Sequence, residues 1–138
     1  MYRLVVRVMA RRQFRLLSEG SIDRFMSVFN EQSIFHFAGN HEFGGRRVGA
    51  EAIRPVIEAM HARFPDLRIT PVRIFVQGWP WNTFVACHLE VRASLPSGVP
   101  YRNAGMQLLQ LRWGKVVEDR IYEDTDVLKD ALATHAAA

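Results

Sequence analysis

Residues 83–95 read TFVACHLEVRASL, a run in which apolar and polar side chains alternate. Val85, Cys87 and Leu89 fall on one side of an extended chain, whereas His88 falls on the other. Alternation with a period of two over this length predicts a long β-strand with one buried face. Cys87 belongs to the apolar side, so we interpret it as a core cysteine.

The sequence on both sides of this strand predicts an antiparallel meander. Pro96-Ser97-Gly98 has the composition of a hairpin turn and leads into a second strand, Tyr101 to Trp113. Gly114-Lys115 then turns the chain into a third strand, Val116 to Tyr122. Upstream, a fourth alternating run changes parity at Pro71, which predicts a bulge or a bend at a sheet edge.

The rest of the chain is mainly helical. Apolar residues recur at helical spacing in residues 6–17, 22–29, 49–64 and 127–132. Residues 33–37 form a short β-type run, and residues 38–45 have the composition of a loop. Pro55 is unfavourable inside the third helix, so that helix either starts near Arg54 or is kinked.

Helices followed by antiparallel hairpins predict an α+β fold. We expect a single domain, residues 1–138, in which a curved, mostly antiparallel sheet wraps around three helices. The open end of such a cone is a natural place for a ligand pocket.

Composition excludes several classes of protein. Hydrophobic residues make up 49% of the chain and charged residues 23%, which is typical of globular proteins. No apolar run approaches the roughly 18 residues of a membrane-spanning helix. A single cysteine excludes an intramolecular disulfide and leaves too few thiolates for a zinc site. The first residues lack the apolar core of a signal peptide, so a cytoplasmic protein is expected.

The net charge is +4, and 16 of the 18 basic residues are arginine. The densest basic group lies within residues 3–15 at helical spacings, and we interpret it as the solvated face of a helix. The sequence contains no zinc-finger spacing, Gly-rich RNA-binding motif or Lys/Arg run. We therefore expect neither a nucleic-acid partner nor a membrane partner.

The order of elements resembles the nuclear-transport-factor-2-like superfamily, and within it the SnoaL-like branch that includes relatives of ketosteroid isomerase. The residues that carry this resemblance are 14–29, 34–37, 64–67, the pattern Tyr101-x-Asn103-x-Gly105, and 114–124. The resemblance spans about residues 7–132 and implies a cystatin-like cone, a deep apolar pocket and a homodimer. Members include isomerases, polyketide cyclases, epoxide hydrolases, dehydratases and non-catalytic binders, so the fold alone does not define a reaction.

Catalysis in this family usually relies on a carboxylate or histidine in an apolar pocket, where desolvation shifts its pKa towards neutrality. Asp124 follows the last strand, where the resemblance to SnoaL-like cyclases implies an acid/base aspartate; the alternative role is a helix cap. Tyr122 could donate to a developing oxyanion or simply pack its ring. His36 is a third catalytic candidate, although a partly buried structural histidine is commoner.

The candidate substrate-binding residues are Trp81, His88, Asn103, Gln107 and Arg120. Asn103 and Gln107 share one strand face and could bind carbonyls or hydroxyls, or bond across strands. Trp81 could line a flat substrate or cover the sheet edge. His88 and Arg120 belong to the set if the polar faces of their strands line the pocket. No defensible metal site appears among the histidines.

The predicted function is a cofactor-free proton-transfer isomerase or cyclase that acts on an apolar, oxygenated, polycyclic or terpenoid small molecule. The alternatives are a lipophilic-ligand-binding protein without chemistry and a dimerisation module of the same fold.

Overall fold

The computed structural model describes residues 1–137, which form four helices and one six-stranded sheet. The helices are α1 (Tyr2–Glu19), α2 (Ile22–Met26), α3 (Ala50–Arg63) and α4 (Thr125–Ala137). The strands are β1 (Ile34–Phe37), β2 (Gly45–Val48), β3 (Arg68–Trp79), β4 (Asn82–Ser94), β5 (Pro100–Arg112) and β6 (Lys115–Glu123). The sheet order is β2-β1-β6-β5-β4-β3, and every neighbouring pair is antiparallel except β1 with β6. The predicted α+β class with a mostly antiparallel sheet is confirmed.

The meander β3–β6 was well predicted because its alternation is long and regular. The change of parity at Pro71 corresponds to a register shift between Pro71 and Arg73 in the β3–β4 pair. A second irregularity in the β5–β6 pair lies between Gln110 and Leu111. Each irregularity increases the local twist and helps the long strands to curve around the helices.

Several local predictions were wrong. The strand β2 was not predicted, and it begins at Gly45, the last residue of the predicted loop; its residues are nearly all solvent-facing and carry no apolar alternation. The helix α2 is a single five-residue turn and ends at Met26, short of residue 29. The helix α3 begins at Ala50, with Pro55 inside it, so a start near Arg54 is wrong. Pro55 has no N–H to donate to the carbonyl of Glu51 in the preceding turn. Because Glu51 is exposed, water can bond to that carbonyl instead.

The helix α1 defines which face of the sheet is internal. Its first turn is tied to β4 by a hydrogen bond between the hydroxyls of Tyr2 and Thr83. Near its last turn, the Ser18 hydroxyl accepts the backbone N–H of Ile69 in β3 at 3.4 Å. The helix therefore runs antiparallel to β3 and covers the face that carries Cys87, which is 1% exposed. The core lies between this inner face and the helices.

No helix in residues 1–137 is long and apolar enough to cross a membrane. The cytoplasmic location and the single-domain organisation remain predictions.

Candidate active site

A small cavity of about 50 Å³ lies between α1, α2 and the inner face of the sheet. Most of its walls are apolar, including Phe14, Phe29, Val85 and Leu109. Three side chains with strongly polar groups also line it, namely Gln13, Gln107 and Asp119. A cavity with apolar walls and a few convergent polar groups is the usual form of a small-molecule site.

Asp119 is the charged group at the floor of this cavity. It lies on β6, in register with Phe35 of β1 and Leu109 of β5, both of which belong to the inner side of the sheet. Only 3% of the residue is exposed. Burial disfavours the charged carboxylate and raises its pKa from 3.8 to about 7.

Gln107 is the hydrogen-bonding partner of that carboxyl. Its Nε2 donates to Asp119 Oδ1 at 2.7 Å, and both residues are buried. A donor favours the charged form, so this bond lowers the pKa and opposes part of the effect of burial. Burial has the larger effect, so the pKa of this carboxyl stays well above that of an ordinary aspartate.

Cys87 lies opposite Gln107 in the β4–β5 register and lines the same cavity. Burial, with a smaller effect from the charge of Asp119, raises the pKa of its thiol to about 12. The thiol is therefore neutral at physiological pH, as a core cysteine should be.

A second carboxyl, that of the partly buried Glu123, lies four residues along β6 on the same face. It lines a separate void of about 20 Å³ with Phe64, Tyr101 and Leu128. Burial raises its pKa from 4.5 to about 7. Asn103 Nδ2 lies 3.5 Å from Glu123 Oε2 and also donates to the Tyr101 hydroxyl at 2.9 Å. Two carboxyls on one strand are thus held inside the cone at separate positions.

None of the three predicted catalytic residues lines the Asp119 cavity. Asp124 is exposed, and its Oδ1 accepts the backbone N–H of Val127 at 3.3 Å, the capping contact that was the alternative role. Tyr122 is 41% exposed on the outer face of the sheet. His36 pairs in register with Arg120, so it also lies on that outer face, and its Nδ1 is buried without a hydrogen-bond partner among the described residues.

The predicted binding residues are divided between the two faces. Gln107 alone among them lines the Asp119 cavity, whereas Asn103 lies beside Glu123. Arg120 lies on the outer face, where it forms an ion pair with Glu118 and donates to the Tyr122 hydroxyl at 3.4 Å. His88, in register with Met106, is also on the outer face, and Trp81 lies at the β3–β4 turn. The catalytic and binding roles proposed for these residues remain predictions.

Sequence reasoning missed Asp119 because it followed the other parity of β6. The candidates on β6, Arg120 and Tyr122, belong to the even-numbered side of the strand, whereas Asp119 belongs to the odd-numbered side. Asp119 and Ile121 lie on the same side of β6. An acidic residue on the apolar side of a strand is unusual, and this feature of the sequence could have identified Asp119. Among the described residues, no group of three histidine, cysteine, aspartate or glutamate side chains is placed to hold a metal ion.

The model of the SnoaL-like domain family matches residues 10–119, most of the chain. The protein belongs to the SnoaL-like family, within the nuclear-transport-factor-2-like superfamily. A comparison with curated proteins gives no match.

Several solved structures share the fold. A Bacillus subtilis protein described as a candidate isomerase has a TM-score of 0.75 at 21% identity, covering 91% of this chain and 90% of that one. TerC, crystallised with polyporic acid, has a TM-score of 0.73 at 16% identity, with 93% and 97% covered. Wild-type IdmH of Streptomyces antibioticus, described as a candidate polyketide cyclase, has a TM-score of 0.70 at 20% identity, with 87% and 92% covered. At these identities the likeness establishes the fold alone.

Proposed function

We propose that this protein is a cofactor-free proton-transfer enzyme, an isomerase or cyclase, in which the Asp119 carboxyl exchanges a proton with the substrate. The observation that carries the proposal is a fully buried carboxyl in an apolar cavity, with an amide as its hydrogen-bonding partner. A general acid/base works best when its pKa lies near the working pH. Burial brings the pKa of Asp119 to about 7.

The surroundings of Asp119 suit a carboxyl that first removes a proton from the substrate and then returns it. The ionised carboxylate can remove a proton from a carbon next to a carbonyl, and the resulting acid can return that proton to another atom of the same intermediate. Gln107 holds one carboxyl oxygen and thereby orients the group. Apolar walls exclude water, which would otherwise compete for the proton.

The substrate class follows from the lining. Apolar walls with three polar groups suit a mainly hydrocarbon molecule that carries a carbonyl or hydroxyl. Ligand pockets usually hold several hundred cubic ångströms, which is far more than the 50 Å³ present here. A polycyclic or terpenoid substrate therefore requires the wall opposite the sheet to open, and Met9, Phe25 and Phe29 are among the side chains of that wall.

The two solved relatives described as a candidate isomerase and a candidate polyketide cyclase are consistent with this assignment. TerC bound to polyporic acid and a further relative bound to trimethylamine support a small-molecule site in this fold. These similarities favour an enzyme over a binding protein without chemistry.

Deuterium exchange at an acidic carbon tests the proposal without knowledge of the natural substrate. The compounds are 2-tetralone and a β,γ-unsaturated steroid ketone, incubated in D₂O and followed by ¹H NMR. We expect wild-type protein to accelerate exchange and Asp119→Asn to lose about 10²- to 10⁴-fold of the acceleration. Asp130→Asn, a matched change at an exposed carboxyl, should behave as wild type.

Two results would redirect the assignment. An active Asp119→Asn variant together with an inactive Asp124→Ala variant would show that Asp124, and not Asp119, transfers the proton. Tight binding of either ketone with no exchange above buffer would indicate a ligand-binding protein without chemistry.

We also propose that the outer face of the sheet is covered by a second copy of this chain. A groove of about 620 Å³ on that face is lined by Phe75, Phe84 and Leu108, each about half exposed. Arginines and Glu118 border it, so a two-fold axis could place unlike charges opposite each other. Exposed apolar side chains on one continuous sheet surface favour an interface.

A further inference from the structure

Three tryptophans form an exposed cluster at one end of the sheet. Trp79 and Trp81 border the β3–β4 turn and stack with ring centroids 6.0 Å apart. Trp113 lies at the β5–β6 turn, 6.4 Å from Trp81. The backbone N–H of Trp113 donates to the Pro80 carbonyl at 2.7 Å, which joins the two turns. All three residues are more than half exposed, although indole is among the most costly groups to leave in water.

The backbone conformation at position 113 is unfavourable for tryptophan. It has a φ of +51°, and Gly114 has a φ of +76°, in a two-residue turn between paired Arg112 and Lys115. Turns with two positive φ values favour Asn-Gly, since a bulky side chain is strained there. The chain nevertheless has tryptophan, and the residue is 72% exposed. Its ring contacts Trp81, but most of its surface is left in water.

The start of α1 lies at the same end of the molecule. Tyr2 is hydrogen-bonded to Thr83, whose hydroxyl donates to the Trp79 carbonyl at 2.7 Å. On the outward side of the helix, Leu4, Val5 and Val8 are about half exposed. With Met1 they follow the i, i+3, i+4, i+7 spacing of a single helix face. This aliphatic stripe and the indoles together form what we call the tryptophan end: Met1, Leu4, Val5, Val8, Trp79, Trp81 and Trp113.

The charge around the tryptophan end is positive. Arg3 and Arg7 lie in the first two turns of α1, and its first turn has no acidic residue. Arg112 and Lys115, on either side of the Trp113 turn, add two further positive charges. This charge complements an anionic surface and would oppose the approach of a second copy of the same end.

We propose that the tryptophan end docks onto an anionic lipid surface. Tryptophan and arginine are the residues that suit a membrane interface, where indoles lie at the headgroup level and cations attract acidic lipids. Peripheral docking requires no spanning helix, so it revises the expectation of no membrane partner. Met9 and Gly114, next to this end, also line the Asp119 cavity. If the proposed function holds, a lipid-dissolved substrate would meet the cavity wall at the membrane surface.

Co-sedimentation of the full chain with vesicles tests the docking without an assay of activity. The vesicles are phosphatidylcholine alone and a 3:1 mixture of phosphatidylcholine and phosphatidylglycerol. We expect binding to the anionic vesicles, a shift of indole emission to shorter wavelength, and a loss of at least about fivefold in 1 M salt. Trp113→Asn should lower the partition coefficient about five- to tenfold, and Leu4→Gln should lower it similarly.

The variants separate docking from folding. Asparagine tolerates a positive φ, so Trp113→Asn should keep or raise the melting temperature while it weakens binding. Val99→Asn removes an exposed apolar side chain at the β4–β5 turn and should bind as wild type. No binding to anionic vesicles, or binding unchanged by both Trp113→Asn and Leu4→Gln, would overturn the proposal. Self-association that Trp113→Asn abolishes, in place of vesicle binding, would also overturn it.

Discussion

Gln107 Nε2 lies 2.7 Å from Asp119 Oδ1, and this contact satisfies a carboxyl held in the interior of the cone. The two residues come from neighbouring strands, 12 positions apart in sequence. The hydrogen bond favours the charged carboxylate, whereas burial favours the acid, and burial has the larger effect. The net result is a pKa of about 7 for a carboxyl that is almost completely buried.

Asp119→Asn should stabilise the protein at pH 8. The pKa of Asp119 is about 7 in the folded chain and near 3.8 in the unfolded chain, so the folded state binds its proton more tightly. Protonation of Asp119 therefore contributes to the stability of the folded state. This contribution is fully present below about pH 4 and is lost as the pH rises through about 7. Asparagine mimics the neutral acid and avoids this loss, a gain on the order of 2–4 kcal/mol.

Urea unfolding of both proteins at pH 4 and pH 8 measures the effect. The free energy of unfolding of Asp119→Asn should exceed that of wild type by more at pH 8 than at pH 4. The difference between Asp130→Asn and wild type should be the same at both pH values. Glu123→Gln should behave in the same direction as Asp119→Asn, because burial also raises the pKa of Glu123 to about 7. A wild-type protein that gains stability relative to Asp119→Asn between pH 4 and pH 8 would contradict the assignment.

Gly105→Ala should destabilise the fold by about 1–3 kcal/mol. A Cβ at this position would lie 2.5 Å from the Tyr122 carbonyl oxygen and 2.8 Å from Glu123 Cγ. Because the nearer of these atoms belongs to the backbone, β6 itself must move away, and the Glu123 side chain must shift as well. Thermal unfolding measures the cost, with Ala104→Ser as a neighbouring control. A Gly105→Ala variant as stable as wild type would show that the two strands do not approach as closely as this.

Asp124→Ala should cost about 0.5–2 kcal/mol, the usual effect of removing a helix cap. Its carboxylate accepts the Val127 N–H at the start of α4. The capping role predicts that proton exchange persists in the folded fraction of this variant. Loss of exchange at unchanged stability would instead support the catalytic role that the sequence suggested.

Leu108→Arg should convert a dimer to a monomer. Leu108 is 48% exposed and lines the outer groove, so a buried arginine there would leave an unpaired charge in the interface. Sedimentation velocity distinguishes the two states, and Val99→Asn is again the control. A wild-type protein that stays monomeric at high concentration would rule out the proposed interface.

The long strands were predictable because their alternation depends only on which residues face the core. The parity change at Pro71 was visible for the same reason, and the structure places a bulge there. By contrast, β2 has no apolar face and is held by backbone pairing with β1, so its side chains give no signal. The fold class follows from patterning, but a short, solvent-facing edge strand does not.

The candidate site was less predictable for a different reason. A carboxyl acquires a raised pKa from the chain that surrounds it, and that environment appears only after the strands pair. The register shift between Gln110 and Leu111 helps to decide which residues of β6 face the cavity. Asp119 and Asp124 are both plausible acids in the sequence, and only the burial of Asp119 distinguishes them.

A pH titration of the Asp119 carboxyl by ¹³C NMR tests the central claim most directly. The protein is labelled at aspartate side-chain carboxyl carbons, and Asp119→Asn identifies the signal by its disappearance. The structure predicts a midpoint near pH 7, well above the value of an ordinary aspartate. A midpoint near 4 would show a solvated carboxyl and would contradict its role in proton transfer at neutral pH.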